Sequence, residues 1–288
     1  MRIAENWKDY KIIDTSNGDK LESWGGRLLV RPDPQIIWRT EHKTDLWDKA
    51  DAVYHRSSKG GGEWEYRRRL PESWEISYRE LKFIIRPTGF KHTGLFPEQA
   101  VNWDFMRDRI SRAGRPVNVL NLFGYTGAAT MACAAAGASV CHVDASKGIV
   151  QMAKDNAVSC GLREKPVRYI VDDCIKFVQR ELRRGSRYDG IVMDPPSYGR
   201  GPGGEVWQLE DKLYPLLCDC VSLLSDKPLF FILNSYSTGL SASVMEYLLR
   251  VCMGDRFGGS FESSEIGLKT EGGLAFPSGS VARWCADE

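Results

Sequence analysis

The chain lacks the features by which several classes of protein are recognised. Its 288 residues contain no run of eighteen apolar residues, which argues against a membrane-spanning helix. The opening segment Met1–Asp9 has no apolar stretch of the kind a secretory signal needs, and it carries Glu5 and Asp9, which transit peptides avoid; the expected compartment is the cytoplasm. No cysteine precedes Cys133, and the eight present (133, 141, 160, 174, 218, 220, 252 and 285) form no Cys-x-x-Cys and have no paired histidines nearby. They read as reduced thiols packed like small hydrophobes, with no metal site expected. Charge of one sign is also missing. Residues 1–85 hold 16 basic and 15 acidic side chains, the remainder 23 of each, so neither part can grip a polyanion by net charge alone.

What is present divides in two. From Tyr10 to Ile85, short β-type runs (Tyr10–Ile13, Arg27–Val30, Gln35–Arg39) are punctuated by Asn17-Gly18 and Asp33-Pro34, and Ser57–Gly62 reads as a loop tip. Six of the nine tryptophans (7, 24, 38, 47, 64, 74) fall here, which suits the aromatic bulk of a small β core and, as the alternative, platforms for stacking unpaired bases. From Val117 onward, apolar runs at 117–123, 139–143, 167–171, 188–193 and 229–233 alternate with helical stretches at 128–136, 147–160, 174–184 and 209–224. Gly137, Gly161 and Gly185 stand at the expected helix ends. The pattern predicts an α/β fold with a doubly wound, mostly parallel sheet, followed by a helix over 241–253 and a closing antiparallel hairpin from 260–267 and 279–284. The expected domains are 1–86, small and mostly β, and 87–288, with 87–116 as a lead-in.

Three expected strand ends carry candidate ligands. Asn121-Leu122-Phe123-Gly124-Tyr125-Thr126-Gly127 follows the first strand and opens the first helix, where a glycine turn admits a ligand to the backbone. Asp144 ends the second strand, placed to accept from both hydroxyls of a ribose, with Ser146 just beyond. Asp172-Asp173-Cys174 ends the third, where a carboxylate can receive an exocyclic amine such as that of adenine. Each aspartate has a second reading, as the cap of the helix that follows it. The full Gly-x-Gly-x-x-Gly of a dinucleotide site is absent, since Leu122 breaks the register that has Gly124 as its second glycine and Ala129 the one that has it as its first. A nucleoside cofactor without phosphates, such as S-adenosylmethionine (SAM), needs no pyrophosphate cradle.

The fourth strand ends in Asp194-Pro195-Pro196-Ser197-Tyr198. Two prolines hold an extended turn and remove two N–H donors, so backbone carbonyls and the Asp194 carboxylate form an acceptor-rich rim suited to an amine. Tyr198 can stack on a planar ring, and aligning a nitrogen with a sulfonium methyl is mainly positioning. The following Gly199–Gly204 is glycine-dense and reads either as a segment folding over substrate or as disorder.

With these motifs the chain, from about Phe90 to its C-terminus, resembles the class I SAM-dependent methyltransferases of the rRNA large-subunit type, whose fold is Rossmann-like. The resemblance implies that Phe123 and Gly124 line the methionine end of SAM, Asp144 the ribose, Asp173 the adenine, and Asp194 with Pro195 the target. Lys91-His92-Thr93-Gly94 looks like the family's pocket-closing segment with one residue inserted, which adds Lys91, Thr93 and Gly94. The N-terminal β region is similar to one that accompanies a bacterial subgroup. Two departures matter. Asn121 stands where an acidic residue often begins the first motif, weakening any bond to the methionine ammonium. In Asn234-Ser235-Tyr236-Ser237-Thr238, Tyr236 stands where members that methylate cytosine C5 carry a nucleophilic cysteine. A phenol is protonated at neutral pH and replaces a thiolate poorly, so transfer to a base nitrogen or amine is expected instead.

RNA as partner rests on that resemblance. Arg67-Arg68-Arg69, beside Trp64, Tyr66 and Trp74, is the one compact basic and aromatic cluster, and it reads either as an RNA contact or as a solvated strand face. A methyltransferase of proteins or small molecules, and a nucleotide-binding or oxidoreductase domain, are the alternatives.

Overall fold

The computed structural model describes residues 1–57, 61–89, 91–201, 203–237 and 239–287; Ser58–Gly60, Phe90, Pro202 and Thr238, each within a segment discussed above, lie outside them. The chain forms two compact units that are not continuous in sequence: residues 3–100 with 267–278, and residues 1–2, 101–266 and 279 to the C-terminus.

The first strands are β1 (Arg2–Ala4), β2 (Tyr10–Ser16), β3 (Asp19–Trp24), β4 (Arg27–Pro32), β5 (Ala52–Arg56), β6 (Gly62–Tyr66), β7 (Trp74–Tyr78) and β8 (Leu81–Ile85). In the smaller unit β2 to β6 form a five-stranded sheet in sequence order, antiparallel except for the β4–β5 pair, and β7 and β8 form a hairpin. Alternating side chains of these strands supply its core, with Ile13, Leu21, Val30, Val53 and Trp47 packed together. Trp24, Trp47 and Trp74 are buried, so they act as core bulk, while Trp38 is exposed and donates its indole N–H to the Thr15 carbonyl. Gln35–Arg39 is irregular where a strand was expected. The Asp33 carboxylate accepts the Gln35 N–H and the Asp33 carbonyl accepts the Ile36 N–H, both at 3.1 Å, so the Asp-Pro pair winds the chain into a turn despite its β-type residues.

The larger unit runs α1 (Ala100–Arg112), β9 (Asn118–Leu122), α2 (Ala128–Ala135), β10 (Ser139–Asp144), α3 (Lys147–Ser159), β11 (Val167–Val171), α4 (Cys174–Arg183), β12 (Gly190–Met193), β13 (Tyr198–Arg200), β14 (Val206–Gln208), α5 (Leu209–Ser222), β15 (Phe230–Ser235), α6 (Ala242–Met253), β16 (Ser260–Lys269) and β17 (Ala275–Cys285). Its sheet has the order β1-β16-β17-β15-β12-β9-β10-β11. The five strands β11, β10, β9, β12 and β15 are mutually parallel, and β17 returns antiparallel to β15. This is the expected mostly parallel α/β sheet closed by an antiparallel hairpin. Its central strands are buried on both faces, which is why Val119, Leu120, Ile191, Val192, Phe230 and Ile232 could follow one another without polar interruption. Strand order reverses between β9 and β12, and the crevice beyond their carboxyl ends is where open α/β sheets take ligands.

Candidate active site

The loop leaving β9 is the most contorted backbone of the larger unit. Phe123 (φ +53°) and Tyr125 (φ +50°) are both left-handed, a conformation that costs a bulky residue about 1–3 kcal/mol and persists only where the surroundings enforce it. Those surroundings are visible. Gly124 N–H donates to the Val143 carbonyl at 2.9 Å, and Tyr125 N–H donates to Asp144 Oδ2 at 3.0 Å, so the loop is tied to the end of β10. Beneath it lies a buried polar chain: the Asn121 amide donates to the Thr130 hydroxyl at 2.9 Å, and that hydroxyl is hydrogen-bonded to His142 Nδ1 at 2.9 Å. Burial lowers the His142 pKa to about 4, so the ring is neutral. A Cβ on Gly124 would fall 2.5 Å from that imidazole, and one on Gly127, itself left-handed at φ +84°, would fall 2.9 Å from the Ala153 methyl. Both glycines are therefore required by what packs inside them. The loop is closed by Asn156, whose amide donates to the Thr126 carbonyl at 2.8 Å.

Asp144 bridges two loops. Its Oδ1 accepts the Ser146 N–H at 2.9 Å while Oδ2 accepts that of Tyr125, and burial raises its carboxyl pKa against the opposing pull of these backbone donors. Ser146, exposed, is the cap of α3. At the next strand end, Asp173 caps α4 by accepting the Lys176 N–H at 2.9 Å, and Asp172 is paired with Arg180. Cys174 is fully buried beside them. Burial pushes its thiol pKa up, against the Phe123 N–H directed at it, and the Asp144 and Asp173 carboxylates raise it further. Phe123, Asp144, Asp173 and Cys174 thus meet at one edge of the sheet.

The turn after β12 adjoins this edge. Pro195 is buried, Asp194 half-buried, and Pro196, Ser197 and Tyr198 are exposed. Beyond it β13 and β14 pair antiparallel, with Tyr198 opposite Gln208 and Gly199 opposite Trp207. Ser197 Oγ lies 2.8 Å from Ser237 Oγ, joining this turn to the loop after β15. Tyr236 in that loop is half-buried, with its ring where a Cβ on Gly279 would stand at 2.9 Å. The end of β15 is pinned from behind: Asn234 Oδ1 accepts the Asn102 amide at 2.8 Å, and Asn102 Oδ1 accepts from the buried Arg283.

Lys91, Thr93 and Gly94 belong to the smaller unit, where the carbonyls of Lys91 and Thr93 accept from Arg31 Nη1 and the Arg86 N–H. His142, Thr130, Trp207, Ser197 and Ser237 were not singled out from sequence. A signal existed for His142, which is two residues before Asp144 and so shares its face of β10.

The edge carries three acidic side chains, Asp144, Asp172 and Asp173, and so fits a phosphate-free, positively charged nucleoside better than a dinucleotide. Among the described residues no three His, Cys, Asp or Glu side chains are grouped to hold a metal ion, and no helix is long and apolar enough to cross a membrane.

Comparison with known proteins agrees with this chemistry. A family model described as S-adenosylmethionine-dependent methyltransferase matches residues 47–213. The crystal structure of a SAM-dependent methyltransferase from Agrobacterium tumefaciens is 41% identical, with a TM-score of 0.94 and coverage of 100% of this chain and 94% of that one. A putative SAM-dependent methyltransferase from Streptococcus mutans, 16% identical, shares the fold with a TM-score of 0.75 over 98% of this chain and 76% of that one. Among curated proteins, the ribosomal RNA large subunit methyltransferases K/L of Shewanella baltica and Vibrio cholerae are 34% and 30% identical over 145 and 141 residues, or 50% and 49% of this chain. Those alignments take in 19% of each relative, so the chain spans about a fifth of their length.

Proposed function

The chain belongs to the S-adenosylmethionine-dependent methyltransferases, and from that premise we propose that it methylates RNA, specifically ribosomal RNA, at a base nitrogen or exocyclic amine. SAM is the cofactor and supplies an electrophilic methyl group on a sulfonium. In this reading Asn121, Phe123, Gly124, Tyr125, Thr126 and Gly127 form the loop that receives it, Asp144 with Ser146 binds the ribose, and Asp172, Asp173 and Cys174 line the adenine side. Asp173 can cap α4 and still accept from a ligand, because a carboxylate has about four lone-pair directions.

Asp194, Pro195, Pro196 and Tyr198 hold the target. The Asp194 carboxylate and the proline-turn carbonyls accept N–H bonds from the target amine, orienting its lone pair, and Tyr198 stacks on the base. Once the methyl is transferred the nitrogen carries one proton too many, and Asp194 is the group nearest in kind to receive it. The observation that carries the reading is the meeting of the Asp144-braced loop and the Asp194–Tyr198 rim at the switch point of one sheet.

RNA as substrate is supported by the names of the curated relatives and by the exposure of Arg67, Arg68, Arg69 and Tyr66, which we assign to phosphate and base contacts. The cysteine usage supports a cytoplasmic setting. The test is mass spectrometry of rRNA nucleosides from cells with and without the gene. Loss of one methylated nucleotide is expected. Intact rRNA together with tritiated methyl incorporated into protein or small molecules would overturn the RNA assignment and leave methyl transfer standing.

A further inference from the structure

Trp207 has no task in the proposed function, yet it touches both the loop after β9 and the proline turn after β12. It lies on β14 with 5% of its surface exposed. Its ring centroid is 4.9 Å from that of Phe123 at an interplanar angle of 58°, and its indole N–H donates to the Pro196 carbonyl at 2.5 Å. Its backbone pairs with Gly199, directly after Tyr198. One side chain therefore contacts the left-handed residue of the cofactor loop, fixes the second proline of the target rim and anchors the hairpin that presents Tyr198. The same hairpin is held twice more: Leu209 N–H donates to the Ser197 carbonyl at 3.1 Å, and Glu205 at its tip is paired with Lys176, three residues past Asp173 on α4. These attachments connect the hairpin to the segments that follow β9, β11 and β12.

We propose that Trp207 is a positioning residue that couples cofactor occupancy to the target rim, so that filling the Phe123–Gly127 loop orders the β13–β14 hairpin and sets Pro196 and Tyr198 for substrate. A left-handed Phe123 can relax in the empty enzyme unless its neighbours hold it, and Trp207 is the neighbour that would feel the change. Occupancy of the loop selects the state in which Phe123 and Trp207 are packed, and the indole bond extends that selection to Pro196. The proposal rests on SAM binding and is independent of whether the substrate is RNA.

The two contacts of Trp207 can be separated. Trp207→Phe keeps a ring against Phe123 and removes the N–H to Pro196. Hydrogen exchange of the amides in 198–208 is measured with and without saturating S-adenosylhomocysteine, whose affinity is obtained by calorimetry. In the wild type the hairpin amides are expected to slow by about tenfold or more on binding. In Trp207→Phe the affinity should stay within about threefold while that slowing is largely lost. Phe123→Leu, which removes the ring contact from the opposite side, should lose the slowing at saturation as well. A hairpin that does not respond in the wild type, or one that responds fully in Trp207→Phe at saturation, overturns the proposal and leaves Trp207 as packing. Failure of the wild type to bind the nucleoside would instead overturn the cofactor site itself, and the calorimetry reports that separately.

Discussion

Gly124 and His142 are in contact across the base of the loop after β9, so closely that a methyl on the glycine would stand 2.5 Å from the imidazole. The ring cannot swing away, because its Nδ1 is held by Thr130 and it is fully buried. Gly124→Ala should therefore lower stability by about 1–3 kcal/mol through overpacking. His142→Ala should also destabilise, by opening a cavity. The double variant should be less damaged than the sum of the two, by about 1 kcal/mol, because the small side chain at 142 makes room for the methyl. Thermal or urea denaturation of the four proteins checks this; strict additivity would mean that the loop relieves the clash by moving instead.

The same histidine sets an acid limit on the fold. Its pKa is about 4 in the folded protein against about 6.5 in an unfolded chain. Since the folded pKa is the lower, its contribution to stability is complete above pH 6.5 and is lost as pH falls from about 6.5 to about 4, at up to about 1.4 kcal/mol per pH unit. His92 in the smaller unit, also lowered to about 4 by burial, adds a slope of the same sign. Urea unfolding at pH 7.5, 6.5 and 5.5, above most carboxylate titration, should show the wild type changing little between the first two and weakening between the last two, with His142→Gln weakening less. An unchanged slope in the variant would refute the assignment.

How far the site was legible in the sequence follows from which interactions are local. Strand ends could be read because apolar runs stop where the sheet stops, and Asp144, Asp172 and Asp194 each follow such a run directly, with Asp173 next to Asp172. The two readings of Asp173 could not be separated in advance, and the structure shows its capping bond to Lys176. The pairing of β13 with β14 could not be read from the sequence, because Trp207 and Glu205 are held by distant partners, Phe123 and Lys176. Conversely, Gln35–Arg39 has strand composition, and the upstream Asp33-Pro34 pair, through the Asp33 carboxylate and carbonyl, winds the chain into a turn there. Proximity in sequence made three strand ends visible; the buried Asn121–Thr130–His142 chain beneath them needed the fold.

Asp144 braces the loop after β9 and, as proposed, binds the ribose of SAM, so its removal should be felt in binding. Asp144→Asn should weaken SAM by about tenfold or more, since a carboxylate that accepts from ribose and from two backbone N–H groups is replaced by a weaker acceptor. Burial raises the Asp144 pKa, and the ionised form is the better acceptor. Wild-type SAM affinity should therefore fall on acidification at a higher pH than an ordinary carboxylate would give, and the asparagine variant should lose that dependence. Isothermal titration at several pH values decides it.

Asp194 is expected to act on the other partner. Asp194→Ala should leave SAM affinity within about twofold and reduce the methyl-transfer rate by about a hundredfold or more, the pattern of an interaction made chiefly in the transition state. Wild-type turnover with intact SAM binding would remove the acceptor-rim role; a parallel loss of SAM affinity would move Asp194 into the cofactor site.

Tyr236 distinguishes nitrogen transfer from attack on cytosine C5. The C5 route needs a nucleophile that adds to the ring and is later expelled, and the half-buried phenol at this position, packed against Gly279, is a poor candidate for that chemistry. Transfer to a nitrogen needs no such addition. Tyr236→Phe, which keeps the ring and removes the hydroxyl, should retain methyl transfer to within about threefold, since transfer to a nitrogen needs no nucleophile from the protein. RNA substituted with 5-fluorocytosine, which traps C5 methyltransferases as covalent adducts, should not become linked to the wild-type protein. A denaturation-resistant protein–RNA adduct that disappears in Tyr236→Phe would overturn the nitrogen assignment and make the phenol oxygen the nucleophile.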